Sequence, residues 1–169
     1  LLICSNGWAS FSNSVLTASD SLLEPYFFNN SITHPLGPYG MLAPFFDDLD
    51  DALNLAIQLR DYFTKGNWTE LGLKDGLEVR ISMHAGPVYE EFDPILARRN
   101  FFGKHVNQAA RIEPIVLPGS VYVSEIMAAL LSFGHEDFDF EYVGNLELAK
   151  NYGSHPIYIL QRTGYKENI

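Results

Sequence analysis

The sequence predicts an α+β or α/β sandwich, with one mixed sheet and helices packed on it. Three observations carry this. From residue 41 onward, strand-like and helix-like segments interleave, and the last strands come as a pair. Apolar residues make up 47% of the chain and charged residues 19%, the balance of a globular protein rather than a disordered one. The 169 residues are enough for one domain with a real core. There is no repeat and no low-complexity linker, so we expect a single domain over residues 1–162 and a tail over 163–169.

Residues 1–40 are the least legible part. They are rich in Ser, Asn, Gly and Pro, with aromatic clusters at 8–11 and 26–28. Residues 41–46 read as a short strand in which Pro44 forces an edge or a bulge. Asp47, Asp48, Asp50 and Asp51 then begin a helix over about residues 49–63, where Leu49, Leu53, Ala56, Ile57 and Leu59 or Arg60 keep helical spacing. The four acids suit the positive end of a helix dipole, and a metal cluster is the competing reading.

Residues 77–84 alternate apolar and polar side chains, the mark of a half-buried strand. Ala85-Gly86-Pro87 breaks it and Val88-Tyr89 resumes it. Phe101-Phe102-Gly103 reads as an aromatic-glycine turn into a short helix that Pro114 ends. Pro118-Gly119 turns into a strand at 120–123, Ser124 can cap a helix ending near Leu131, and strands at 138–143 and 156–160 close the pattern.

A net charge of −10 argues against a nucleic-acid partner, whose affinity needs a basic surface. A small anionic ligand needs only a few local cations. Cys4 is the single cysteine, so neither an intramolecular disulfide nor a zinc-finger pattern is available, which fits a cytoplasmic protein. The opening Leu1-Leu2-Ile3-Cys4 is too short for a membrane span or a signal sequence, and its lack of a methionine suggests a trimmed chain.

The chemistry concentrates in residues 101–113. Asn107 and Arg111 lie four apart, so they project from one helix face about a turn from each other. An amide beside a forked cation suits a phosphate ester that gains charge as it reacts. Each also has a plainer reading: Asn107 as a helix-start amide, Arg111 as the ion-pair partner of Glu113. His84 reads as structural. His34, His105, His135 and His155 show no metal-ligand spacing. Trp8 and Trp68 read as packing residues. Phe101 and Phe102 read as core or dimer-interface packing, with base stacking the minority reading.

Four segments in order resemble the class III nucleotidyl cyclase domain, the fold of adenylate and guanylate cyclases. Residues 77–88, ending His84-Ala85-Gly86-Pro87-Val88, resemble its central strand and Gly-Pro turn. Phe102-Gly103 through Val106-Asn107-Gln108-Ala109-Ala110-Arg111-Ile112-Glu113 resembles its signature helix. Pro118-Gly119-Ser120-Val121-Tyr122-Val123-Ser124-Glu125 resembles the next strand, and residues 143–158 the closing hairpin. The resemblance runs over 77–162, and less fully from 41.

It implies a ferredoxin-like α+β domain with a mixed, mostly antiparallel sheet. It also implies conversion of a nucleoside triphosphate to a 3′,5′-cyclic nucleotide and pyrophosphate, two divalent ions (Mn²⁺ or Mg²⁺), and a homodimer with active sites at its interface. By position, Asn107 would orient the ribose and Arg111 would stabilise charge on the α-phosphate. Lys150, by itself an ordinary solvated lysine, falls near the triphosphate-binding lysine. Asn100 takes the slot that reads the base edge, and Phe102 joins the nucleotide-binding set. An amide offers both a donor and an acceptor, which is compatible with a pyrimidine. The wording of "His-Ala-Gly-Pro-Val-Tyr", "Ala-Ala-Arg-Ile-Glu-Pro" and "Leu-Ala-Lys-Asn-Tyr-Gly" is most similar to a bacterial branch. That branch includes antiphage cyclases that make cyclic UMP or cyclic CMP to activate a toxic effector.

The chain departs from the family at both metal positions. The first falls near Ser5 and the second at Tyr39-Gly40, with no acid at either. The spacing between them is short, and the base-recognising lysine before the second is missing. Asp20, Asp47 and Asp48 are the nearest acids. Two readings stay open: a degenerate cyclase-like nucleotide-binding or dimerisation module, or a cyclase whose residues around the metal loops are omitted here.

Overall fold

Helix α1 (Leu49–Lys65) shows how local chemistry sets the frame. The Asp48 carboxylate accepts the backbone N–H groups of Asp50 at 2.8 Å and Asp51 at 3.1 Å, satisfying donors that a helix start leaves unpaired. The acid run therefore begins a helix, as its composition suggests. The helix runs two residues past the expected end. Asp61 bridges Arg60 and Lys65 there, and the Trp68 indole N–H donates to the Phe63 carbonyl at 2.7 Å while its ring stacks on Phe63. Trp68 is a packing residue, as expected.

A computed structural model describes residues 2–4, 35–36, 41–42, 46–71, 78–94, 97–135 and 137–164. The aromatic clusters at 8–11 and 26–28, together with Ser5, Asp20, His34, Tyr39, Gly40 and residues 43–45, lie outside the described residues.

The strands are β1 (Leu2–Cys4), β2 (Pro35–Leu36), β3 (Met41–Leu42), β4 (Ile81–His84), β5 (Tyr89–Asp93), β6 (Arg98–Phe102), β7 (Val121–Ser124), β8 (Phe138–Glu147) and β9 (Ser154–Arg162). Five form one sheet in the order β1-β4-β7-β9-β8. Only β4 and β7 run parallel; the other neighbours are antiparallel. β2 pairs with β3, and β5 with β6, as separate ribbons. With α2 (Lys104–Ile112) and α3 (Glu125–Leu131), this is the α+β architecture that the sequence predicts.

The core lies on both faces of the sheet. Ile81 and Met83 of β4 and Val121 and Val123 of β7 join Leu53, Ile57 and Phe63 of α1 and Met127 and Leu131 of α3. Across the sheet, Ile112, Val116, Tyr122, Leu148 and Ile157 form a second cluster. This corrects the half-buried strand expected at 77–84. Pairing covers only Ile81–His84, and all four side chains are buried. The alternation is real, but the polar members Ser82 and His84 face α2 rather than water.

Other differences follow the same logic. Only Met41–Leu42 pair within the strand expected at 41–46, while Phe46 packs against the core. Phe101 and Phe102 finish β6 instead of forming a turn. Gly103 alone makes the turn, at φ 140°, a conformation that side chains rarely adopt. Pro114 sits in a 3-10 turn (Glu113–Ile115) that ends α2, and Ser124 caps α3, its Oγ accepting the Met127 N–H at 3.3 Å. β8 and β9 are longer than expected because their outer ends pair through an exposed ribbon with a bulge between Tyr142 and Gly144.

Replacing the cap tests the reading of the acids. Asp48→Ala should cost about 1 kcal/mol of unfolding free energy in urea, while Asp48→Asn should stay within a few tenths of wild type.

Candidate active site

Helix α2 stands on the second face of the sheet, held by polar contacts as well as apolar ones. Its N-cap Gly103 offers no side-chain cap, and its first closing bond runs from the Asn107 N–H to the Gly103 carbonyl at 3.3 Å. The Ser82 hydroxyl donates to the Ala109 carbonyl at 2.9 Å. Ala109 and Ile112 are buried against the sheet. Asn107 is exposed and Arg111 partly so, a turn apart.

The far end of α2 is tied to the β8–β9 turn. The Ala149 N–H donates to the Arg111 carbonyl at 3.2 Å, and the Leu148 N–H closes the turn on the Gly153 carbonyl at 2.9 Å. Lys150 follows at once, exposed, with φ 61°, and Asn151 has φ 56°. The backbone thus brings Arg111 and Lys150 to one end of the helix, with Asn107 a turn away. The plainer reading of Arg111 is not what forms. Glu113 is buried and faces Arg80 at 3.5 Å, and Arg111 makes no ion pair among the described residues. Nor is Asn107 the helix cap, which is Gly103.

Asn100 and Phe102 sit on the β5–β6 ribbon. The Asn100 side-chain amide donates to Asp93 Oδ2 at 3.0 Å and accepts the Phe101 N–H at 2.8 Å. Each end of the amide thus has one partner, leaving one N–H and one lone pair. Phe102 is 43% exposed and opposes Tyr89, which is 71% exposed. Core packing is therefore not the role of Phe102.

The sequence reading missed a polar network under α2. His84 is 1% exposed. Its Nδ1 lies 2.7 Å from Ser124 Oγ and its Nε2 lies 2.8 Å from His105 Nδ1, with the two imidazoles stacked at 17°. Ser124 Oγ accepts the Met127 N–H and so has its own O–H to give to His84 Nδ1. That assignment puts the His84 proton on Nε2, directed at His105. Gly86 makes room: a Cβ there would meet the His105 ring at 2.2 Å. Burial, then the neighbouring His105, pushes the His84 pKa from 6.5 down to about 4, and burial also lowers that of His105.

The metal side fits less well. The elements flanking the two expected positions, β1 and β3, touch each other. Yet Ser5, Tyr39 and Gly40 supply no carboxylate, and no group of three His, Cys, Asp or Glu gathers among the described residues. Mg²⁺ and Mn²⁺ favour carboxylate oxygens, so the residues at these two positions and the donors among the described residues do not make a two-ion site. Two of the acids at 47–51 are otherwise engaged: Asp48 caps α1 and Asp50 meets His135 Nδ1 at 2.8 Å. His155 Nε2 donates to the Tyr152 carbonyl at 3.3 Å.

Known proteins share this architecture. The guanylate cyclase domain of RhGC from Catenaria anguillulae, in complex with GTP, superposes with a TM-score of 0.70 at 15% identity, covering 95% of this chain and 94% of that one. A Trypanosoma brucei adenylate cyclase in its monomeric state gives 0.73 at 18%, over 94% and 87%. The non-canonical dimeric guanylyl cyclase domain of RhoGC from Blastocladiella emersonii gives 0.72 at 15%, over 95% and 95%. Such identities establish the fold, an α+β cyclase fold. No curated protein matches the sequence. The profile of the adenylate and guanylate cyclase catalytic domain matches residues 38–162. The chain belongs to that family. No helix among the described residues is long and apolar enough to cross a membrane.

The buried imidazole sets a pH dependence. The folded pKa of His84 lies below the unfolded one, so the unfolded chain binds the extra proton between them. Stability is then full above about pH 6.5 and falls as pH drops toward 4. Urea titrations should show a loss of about 2 kcal/mol between pH 7 and pH 5. His84→Gln should remove most of that slope.

Proposed function

We propose that this chain is a catalytic nucleotide cyclase acting on a pyrimidine nucleoside triphosphate, UTP or CTP. The substrate's 3′-oxygen bonds to its own α-phosphorus, its proton passes to solvent water, and the bond to the departing pyrophosphate breaks. Arg111 offsets the negative charge that builds on the α-phosphate, as arginines do in other phosphoryl transfers. The Asn107 amide holds the ribose, and the Lys150 ammonium meets the triphosphate. One observation carries the reading: the bond from Ala149 to the Arg111 carbonyl, which brings exposed Lys150 to the helix end that holds Arg111, an arginine with no ion pair among the described residues.

The pyrimidine preference rests on Asn100, whose remaining N–H and lone pair suit a ring edge that both accepts and donates, with Phe102 as a stacking surface. The similarity to antiphage cyclases supports a second messenger of antiviral defence, made in the cytoplasm by a homodimer built from residues 1–162. Exposed Tyr89, Phe92 and Phe102 on the β5–β6 ribbon favour a partner surface. The Blastocladiella domain is itself dimeric, in a non-canonical arrangement. A second reading has its own observation. Without carboxylates at the metal side, the chain would bind nucleotide or dimerise without turnover.

Incubation with ATP, GTP, CTP or UTP and Mn²⁺, followed by mass spectrometry, separates the two. We expect cyclic UMP or cyclic CMP, and a fall of about a thousandfold in kcat for Arg111→Ala. A dimeric, folded protein that yields no product from any of the four would establish the binding module instead. Lys150→Gly should gain about 0.5–1 kcal/mol of stability by relieving the left-handed backbone, yet raise KM for the triphosphate in steady-state assays.

A further inference from the structure

The two ends of α2 are held differently. At its C-terminal end, the Arg111 carbonyl is fixed by Ala149. At its middle, the Ala109 carbonyl is fixed by Ser82. At its start, no side chain caps the helix, and the polar contact from the sheet is His84 Nε2 on His105 Nδ1 at 2.8 Å. His105 and Ala109 are one turn apart, so the two bonds from β4 act on one side of the helix, and Asn107 and Arg111 are carried round with it.

The geometry points to His105 as a positioning residue. Its hydrogen bond to the buried His84 sets the rotation of α2 about its axis, and with it the aim of Asn107 and Arg111 at the nucleotide. Three features make His105 more than filler. His84 is buried and its other nitrogen is already held by Ser124, so losing His105 strands a polar atom inside the protein. The His105 ring occupies the space that a Cβ at Gly86 would need, which fixes the ring from behind. Ser124 is at once the end of β7 and the cap of α3, so the relay references α2 to a central strand of the sheet and to the helix that follows it. A tilt of an ångström at the helix start is enough to cost catalysis heavily when the arginine acts on a developing charge.

This inference rests on the cyclase reading of Asn107 and Arg111, and its test separates the two. NMR of labelled wild-type protein should show a nitrogen–nitrogen scalar coupling across the His84–His105 bond; its absence overturns the inference. Hydrogen exchange at the amides of residues 107–111 should quicken in His105→Phe, which keeps a ring but no nitrogen. Exchange at wild-type rates overturns it whether or not the protein turns over nucleotide. In the cyclase assay, His105→Phe should lower kcat about tenfold with KM within about twofold. His105→Asn, whose amide reaches the same point, should restore most of that loss and keeps the test open if the phenylalanine variant misfolds. In an Arg111→Ala background the effect of His105→Phe should shrink to less than about twofold. An undiminished loss there means that His105 only stabilises the fold, and overturns the inference.

Discussion

Burial of β4 on both faces is the constraint on which the rest depends. Four residues, Ile81 to His84, sit between β1 and β7 with no side chain left for water. Two are apolar and join the core beneath α1 and α3. Two are polar and must find partners, because an unpaired polar group in such a place costs 1–3 kcal/mol or so. Ser82 finds the Ala109 carbonyl, and His84 finds Ser124 and His105. The need to satisfy a strand therefore attaches a helix, and that helix carries the candidate chemistry.

The same strand explains where the sequence was legible and where it was not. Helix α1 was readable because two signals agreed: acids at its start and helical spacing along it. Ser124 was readable because a cap needs only a serine at the right register. Burial of β4 was not, since alternation reports two different faces without saying what covers each. The outer half of β8 and the start of β9 were hidden because residues such as Asn145, Glu147 and Ser154 are exposed, leaving pairing without an apolar pattern. The β5–β6 ribbon was hidden for the same reason: all but one of the β5 side chains are exposed.

Of the candidate site, the ordering of Asn107 and Arg111 was legible from spacing, because four residues on a helix fix their direction. The closeness of Lys150 to Arg111 was not, as it depends on a backbone bond between segments 38 residues apart. The state of Asn100 was hidden too. Residue type told of a donor and an acceptor, and only the register of β5 on β6 shows that Asp93 and the Phe101 N–H already take one of each. The histidine pair escaped because each histidine was weighed alone.

The close approach at Gly86 has a consequence for how such chains diverge. The His105 ring fills the volume where any side chain at 86 would stand, 2.2 Å from a Cβ. The two positions are coupled. A methyl group at 86 obliges the imidazole at 105 to move, and a moved imidazole gives up its bond to His84. Among relatives of this protein, a side chain at 86 should therefore come with a change at 105.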